Sequence, residues 1–191
     1  MITCSAGFAT DMRAGHPPPD WALQQWLNTP SPLTLEALKN RVVMIHSFQM
    51  LCPGCVQHAV PQAERVHRMQ AGDDLIVVGL HTVFEHHEAM RPDALRAFVH
   101  EYRVTHPIGI DQPMPGEPIP ATMQRWQLRG TPSLVLLDRT GRVRLHRFGR
   151  VEDLDLGLML GRLLGESSSA SGTTNRQLNE DKTCDEQACR S

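Results

Sequence analysis

The 191-residue chain is poor in aromatics, at 5% with one tyrosine, so leucine, valine, isoleucine and methionine must fill most of its core. It has no apolar run near the roughly 18–20 residues that a membrane-spanning helix requires, and no membrane partner is expected. It has no surplus of positive charge. A formal net charge of −2, from 19 Lys and Arg against 21 Asp and Glu, argues against a nucleic-acid binder, which normally shows a basic face. The first 14 residues hold Asp11 and Arg13 and lack the apolar segment of a secretory signal. The expected location is cytoplasmic, where disulfides are transient rather than structural. A second Cys-x-x-Cys and a close Cys/His pair are missing from the part expected to be ordered, which leaves a zinc site two ligands short.

What is present is Cys52-Pro53-Gly54-Cys55. It stands where the apolar run Val42-Val43-Met44-Ile45-His46-Ser47-Phe48 ends and a helical pattern over residues 56–69 begins. The first sulfur of such a junction sits at the positive end of a helix, beside backbone N–H groups with no internal partner. That field favours thiolate over thiol, which makes Cys52 the expected nucleophile and Cys55 the resolving thiol. Pro53 suits a first helical turn, and Pro61 should kink the helix.

The rest of the chain alternates strands and helices. Residues 21–27 and 33–35 flank a Pro- and Ser-rich turn and are expected to form an N-terminal hairpin. Residues 36–40 read as a helical turn. The run 74–80 reads as a central parallel strand. A helix is expected over 92–102, with Leu95, Phe98, Val99 and Tyr102 on one face. A short strand at 107–110, a Pro-rich loop over 111–120 and a helix over 119–128 follow. Gly130-Thr131-Pro132-Ser133 leads into a strand at 134–137. Asp138-Arg139-Thr140-Gly141 turns it back into a strand at 143–148, and a helix over 154–164 stops at Gly165. No internal repeat is visible. Three units are expected: a flexible arm over 1–17, a domain over 18–165, and a disordered tail over 166–191 that carries Cys184 and Cys189. Strand–helix alternation followed by a hairpin and a helix gives an α/β fold with a mixed sheet.

These pieces resemble the thioredoxin-like superfamily, and within it the TlpA-type disulfide reductases and their alkyl-hydroperoxide-reductase-related cousins. The similarity covers roughly residues 18–164. It rests on Pro19-Asp20-Trp21, Leu33-Thr34-Leu35 with Leu38, Val42-Val43 leading through Phe48 into the two cysteines, Val77-Val78-Gly79, Gly130-Thr131-Pro132-Ser133, and the 137–143 hairpin. The resemblance implies a three-layer α/β/α domain with a mixed central sheet and a terminal hairpin plus helix. It also implies a cis peptide before Pro132 facing the cysteine pair, and an extra helix before the Thr-Pro loop. The chain departs from the family's usual pattern at four points. Leu51 replaces the aromatic before the first cysteine. His46 replaces the buried Asp or Asn six positions before it, His58 replaces the Glu three positions after the second cysteine, and no export signal is seen.

The implied chemistry is disulfide exchange. A thiolate attacks a target S–S bond and a second thiol releases the mixed disulfide. No cofactor is needed. The partners are a protein or small-molecule disulfide and a cellular thiol electron donor, the protein is expected to be a monomer, and reduction is the expected direction, with an antioxidant role. Thr131 and Pro132 would present an extended backbone to substrate. His46, on the buried strand, could take the proton from Cys55 as it attacks, because an imidazole titrates near neutral pH. A histidine satisfied by a backbone carbonyl is the equal alternative. One competing reading is a peroxiredoxin-like thiol peroxidase, which normally carries Pro and Thr where Ile45 and Gln49 stand. Another is a soft-metal-binding module that uses the two cysteines or the tail. His81, Glu85, His86 and His87 read as a solvated loop at the rim rather than a metal site, and His58 as a surface residue near the rim. Cys4 has no evident partner.

Overall fold

The computed structural model describes residues 12–69 and 73–166. Cys4, and the tail residues Cys184 and Cys189 with the metal-binding reading that uses them, lie outside those residues. Six strands form one mixed sheet in the order β1-β4-β3-β2-β5-β6. They are β1 (Leu23–Leu27), β2 (Val42–Phe48), β3 (Leu75–His81), β4 (Ile108–Asp111), β5 (Ser133–Leu137) and β6 (Val143–Phe148). The helices are α1 (Val60–Met69), α2 (Pro92–Glu101), α3 (Ala121–Arg125) and α4 (Asp153–Gly165). Strands β2, β3 and β4 run parallel, as strand–helix–strand crossovers produce, while β5 and β6 add antiparallel.

Strand β2 is buried along its whole length, which explains its unbroken apolar sequence. Its residues alternate between two cores. Val42 and Met44 pack with Ala63 of α1 and with Leu156, Leu160 and Leu163 of α4. Phe48 continues this face against Val60, Leu95 and Val99, which brings in α2. Val43 and Ile45 face the other way, onto Val78, Met123 and Trp126. That second layer concentrates the scarce aromatics. Trp21 stacks on Trp126 at 6.2 Å and meets Trp26 edge-on at 5.4 Å.

The expected N-terminal hairpin does not form. Strand β1 pairs instead with β4, Trp26 opposite Gly109 and Leu27 opposite Ile108. Two effects favour the distant partner. An uncovered β4 would leave a row of unpaired backbone groups at the sheet edge. The Asn28 amide also ties the end of β1 to the chain before β4 by donating to the Val104 and His106 carbonyls, at 2.9 and 3.1 Å. Within the segment expected to be a free arm, Met12 is buried in the Trp126 core. Gly15 N–H donates to the Val143 carbonyl at 2.7 Å, so residues 12–17 are tied to the domain.

The helix after the cysteines also differs from a simple kinked helix. Residues Cys55–Ala59 form a π-helical turn before α1, in which Val60 N–H donates to the Cys55 carbonyl five positions back. Pro61 has no N–H, and its ring would crowd the carbonyl four residues earlier, so the wider turn takes up the expected distortion.

Candidate active site

Cys52 lies four residues beyond the carboxyl end of β2 and caps the helical turn that follows. Its carbonyl accepts the N–H groups of Cys55 and Val56, both at 3.0 Å. Its sulfur accepts the Cys55 N–H at 3.2 Å, the position that a capping oxygen takes at ordinary helix starts. Pro53 enters the helical turn at its first position, where an absent N–H costs nothing. The two thiols are free and differ sharply in environment, with Cys52 half-buried and Cys55 wholly enclosed. Burial, and then the hydrogen bond with Cys52, push the Cys55 thiol up to about 12; the Gln49 backbone and the Thr131 side chain oppose this.

The Thr131–Pro132 peptide is cis. The proline ring abuts the cysteine turn so closely that a Cβ added at Gly54 would sit 3.4 Å from Pro132 Cδ. The Thr131 carbonyl accepts the Cys52 thiol at 3.5 Å, and the Thr131 hydroxyl accepts from Gln49 Nε2 at 3.4 Å. Residues as far as 82 positions apart in sequence thus form one surface. Leu51 (57% exposed) and Phe148 (48% exposed) border it. Leu51 directly precedes Cys52, and Phe148 is paired with Ser133 beside the Thr-Pro loop.

His46 is 2% exposed and makes no bond to a backbone carbonyl. Its Nε2 lies 2.8 Å from His106 Nε2, and His106 Nδ1 lies 2.9 Å from Glu64 Oε2. Burial first, and then the proximity of His106, hold the His46 pKa well below its ordinary value. Burial alone would raise the Glu64 carboxyl, but bonds from Thr105, His106 and Arg68 outweigh it and draw it down to about 2. The sequence reading missed Glu64 and His106. The available signal was a glutamate on the inward stripe of α1, in register with Val60, Ala63 and His67.

His81, the last residue of β3, and the histidines that follow it do not converge. His81 is buried against Phe48, while Glu85, His86 and His87 are exposed. Among the described residues, no group of three His, Cys, Asp or Glu side chains is arranged to hold a metal ion. Among them, too, no helix is long and apolar enough to cross a membrane.

No family model matches the chain. A solved thioredoxin-like superfamily protein is 50% identical over 80% of this chain and 98% of that one, with a TM-score of 0.77. A thiol-disulfide isomerase from Corynebacterium glutamicum is 47% identical over 80% of this chain and 99% of its own, also with a TM-score of 0.77. Among curated proteins, Protein DipZ of Mycobacterium bovis is 30% identical over 151 residues. That match takes in 78% of this chain but spans only 21% of the length of DipZ. The chain belongs to the thioredoxin-like family of thiol-disulfide oxidoreductases.

Proposed function

We propose that this protein reduces protein disulfides, with Cys52 as nucleophile and Cys55 as resolving thiol. The observation that carries the reading is the half-buried Cys52 beside the enclosed Cys55, both against the cis-proline loop. Substrate reaches only the first sulfur. Cys52 attacks the target disulfide, and one substrate thiolate leaves. Cys55 then attacks Cys52 in the mixed disulfide, the Cys52–substrate bond breaks, and the second substrate thiolate departs. Thr131 and Pro132 line the approach and receive an extended substrate segment. Leu51 and Phe148 suit a substrate with an apolar residue near its disulfide. His46 takes the proton that Cys55 must lose before it attacks.

A cellular thiol donor returns the oxidised pair to the dithiol, and a monomer working in the cytoplasm completes the proposal. The test is a redox titration of the pure protein in a dithiol buffer, with the pairing assigned by peptide mass mapping. A Cys52–Cys55 disulfide at about −270 mV supports a cytoplasmic reductase, whereas a value of about −120 mV would make the protein an oxidant. If the two cysteines never pair, the exchange mechanism fails. Saturable consumption of hydrogen peroxide would favour the peroxidase instead.

A further inference from the structure

Glu64, His106 and His46 form a continuous line of titratable groups running inward from the surface of α1. Glu64 Oε2 accepts the Thr105 N–H at 2.9 Å, and Oε1 accepts the Thr105 hydroxyl at 2.5 Å and Arg68 Nε at 2.8 Å. The Glu64 side chain is 10% exposed, and that of Arg68 57%, so this end meets solvent. The inner end is fully enclosed, and His46 Nδ1 has no hydrogen-bond partner in the protein. His46 lines a cavity of about 20 Å³ together with His58, Ala59, Pro132, Ser133 and Arg150. That volume suffices for one water. His58 and Ala59 belong to the π-helical turn that starts at Cys55, and Pro132 to the Thr-Pro loop, so the cavity adjoins both, although neither cysteine lines it.

The sequence of donors and acceptors sets the tautomers. An ionised carboxylate only accepts, so His106 carries its hydrogen on Nδ1 and leaves Nε2 bare. That bare nitrogen accepts from His46, whose hydrogen therefore sits on Nε2. His46 Nδ1 is left as a buried lone pair. Gly79 makes the arrangement possible, because a Cβ there would come within 3.2 Å of His46 Nε2.

We propose that Glu64 and His106 are positioning residues that hold His46 in the Nε2–H tautomer, make its Nδ1 the proton acceptor for Cys55, and carry that proton out to the α1 surface. This rests on the exchange reading above. As the Cys55–Cys52 bond forms and the Cys52–substrate bond breaks, the substrate sulfur leaves with the electron pair. The Cys55 proton reaches His46 Nδ1 by way of one water in the cavity, and only as the new S–S bond forms, because burial raises the Cys55 pKa and lowers that of His46 and so opposes the transfer at rest. The His46 Nε2 proton moves to His106 Nε2, the His106 Nδ1 proton moves to Glu64, and Glu64 releases it to solvent. The protein dithiol is oxidised, the substrate disulfide is reduced, and no other reactant is consumed. The other titratable or charged groups around this line are His67 and Arg68 on α1, His58 on the π-helical turn and Arg150 after β6.

Nitrogen-resolved imidazole NMR of the reduced wild-type protein at neutral pH tests the tautomers without any turnover. The expected spectrum has His46 protonated at Nε2 and bare at Nδ1, and His106 protonated at Nδ1 and bare at Nε2. A hydrogen on His46 Nδ1 overturns the proposal. Stopped-flow reaction with one equivalent of dithiobis-nitrobenzoate tests the consequence. The first nitrothiolate release reports attack by Cys52, and the second reports resolution by Cys55. Glu64→Gln is expected to lower the ratio of second to first rate about tenfold, and His46→Ala about a hundredfold. An unchanged ratio in both variants, including one in which both phases slow together, overturns the path. If wild-type protein shows a first release but no second, the exchange reading itself fails and the path fails with it.

Discussion

The backbone N–H of Cys55 points at Cys52 Sγ from 3.2 Å, so the residue proposed to resolve the mixed disulfide helps to hold the proposed nucleophile in place. The two sulfurs differ in access, since Cys52 is half-buried and Cys55 is fully enclosed, and the proposed division of tasks follows that difference.

Cys52→Ser is expected to abolish disulfide exchange. Cys55→Ser is expected to retain the first attack and accumulate a mixed disulfide at Cys52. Intact-mass analysis after incubation with an oxidised peptide distinguishes them. A stable adduct on Cys55 rather than Cys52 would reverse the assignment.

The buried thiol also makes a statement about pH. With Cys55 held near 12, it remains a thiol across the neutral range and cannot attack without losing a proton. Iodoacetamide at pH 8 should therefore label Cys52 and leave Cys55 unmodified in the folded protein, and label both after denaturation. Peptide mapping of each labelling gives the answer.

Leu51→Glu should weaken docking of protein substrates while sparing chemistry at the sulfurs. KM for a protein disulfide is expected to rise about tenfold or more, since full burial of a leucine side chain contributes about 1.5–3 kcal/mol. The rate with a small aromatic disulfide should stay within about twofold of wild type. Equal losses on both substrates would place Leu51 in the chemistry instead.

Acid should destabilise the fold well before its carboxylates titrate. Burial lowers the pKa of His46, His106 and His81, the last to about 4, and both ring nitrogens of His81 lack partners. Between pH 6.5 and about 4 the unfolded chain binds protons that the folded one refuses. The associated stability is complete above pH 6.5 and falls as pH drops, by on the order of 3 kcal/mol for His81 alone at pH 4. Glu64 adds a second window, with stability present above about 4.5 and lost as pH falls towards 2. Urea midpoints at pH 7, 5.5 and 4.5 measure the first window. His81→Leu should flatten its slope, and an unchanged slope would remove His81 from this account.

Gly79→Ala should cost about 1–3 kcal/mol through overpacking against His46, Phe48 and Ile108, each 3.2 Å from the added carbon. Thermal denaturation with a parallel His46 NMR assignment would show whether the ring moves. An alanine accommodated with no loss of stability would mean that the site is roomier than its contacts suggest.

The central strands were readable because buried parallel strands carry unbroken apolar runs, and β2 coincides with the expected 42–48 segment. The terminal hairpin was readable because Asp138 to Gly141 is a strong local turn signal, and Asp138 does bind its own turn through the Thr140 N–H at 2.9 Å. The partner of β1 was not readable. Its choice depends on the free edge of β4, about 80 residues away, and on Asn28 reaching across to it.

The amino-acid order by itself determined the cysteine turn, the Thr-Pro loop and the succession of strands and helices, because each depends on neighbours a few positions apart. Tertiary structure alone decided which cysteine is sealed and that Pro132 rests on Gly54. It also decided that His46 meets His106 and Glu64. Those contacts join residues 42 to 78 positions apart, and parallel crossovers and burial, which no local pattern encodes, bring them together.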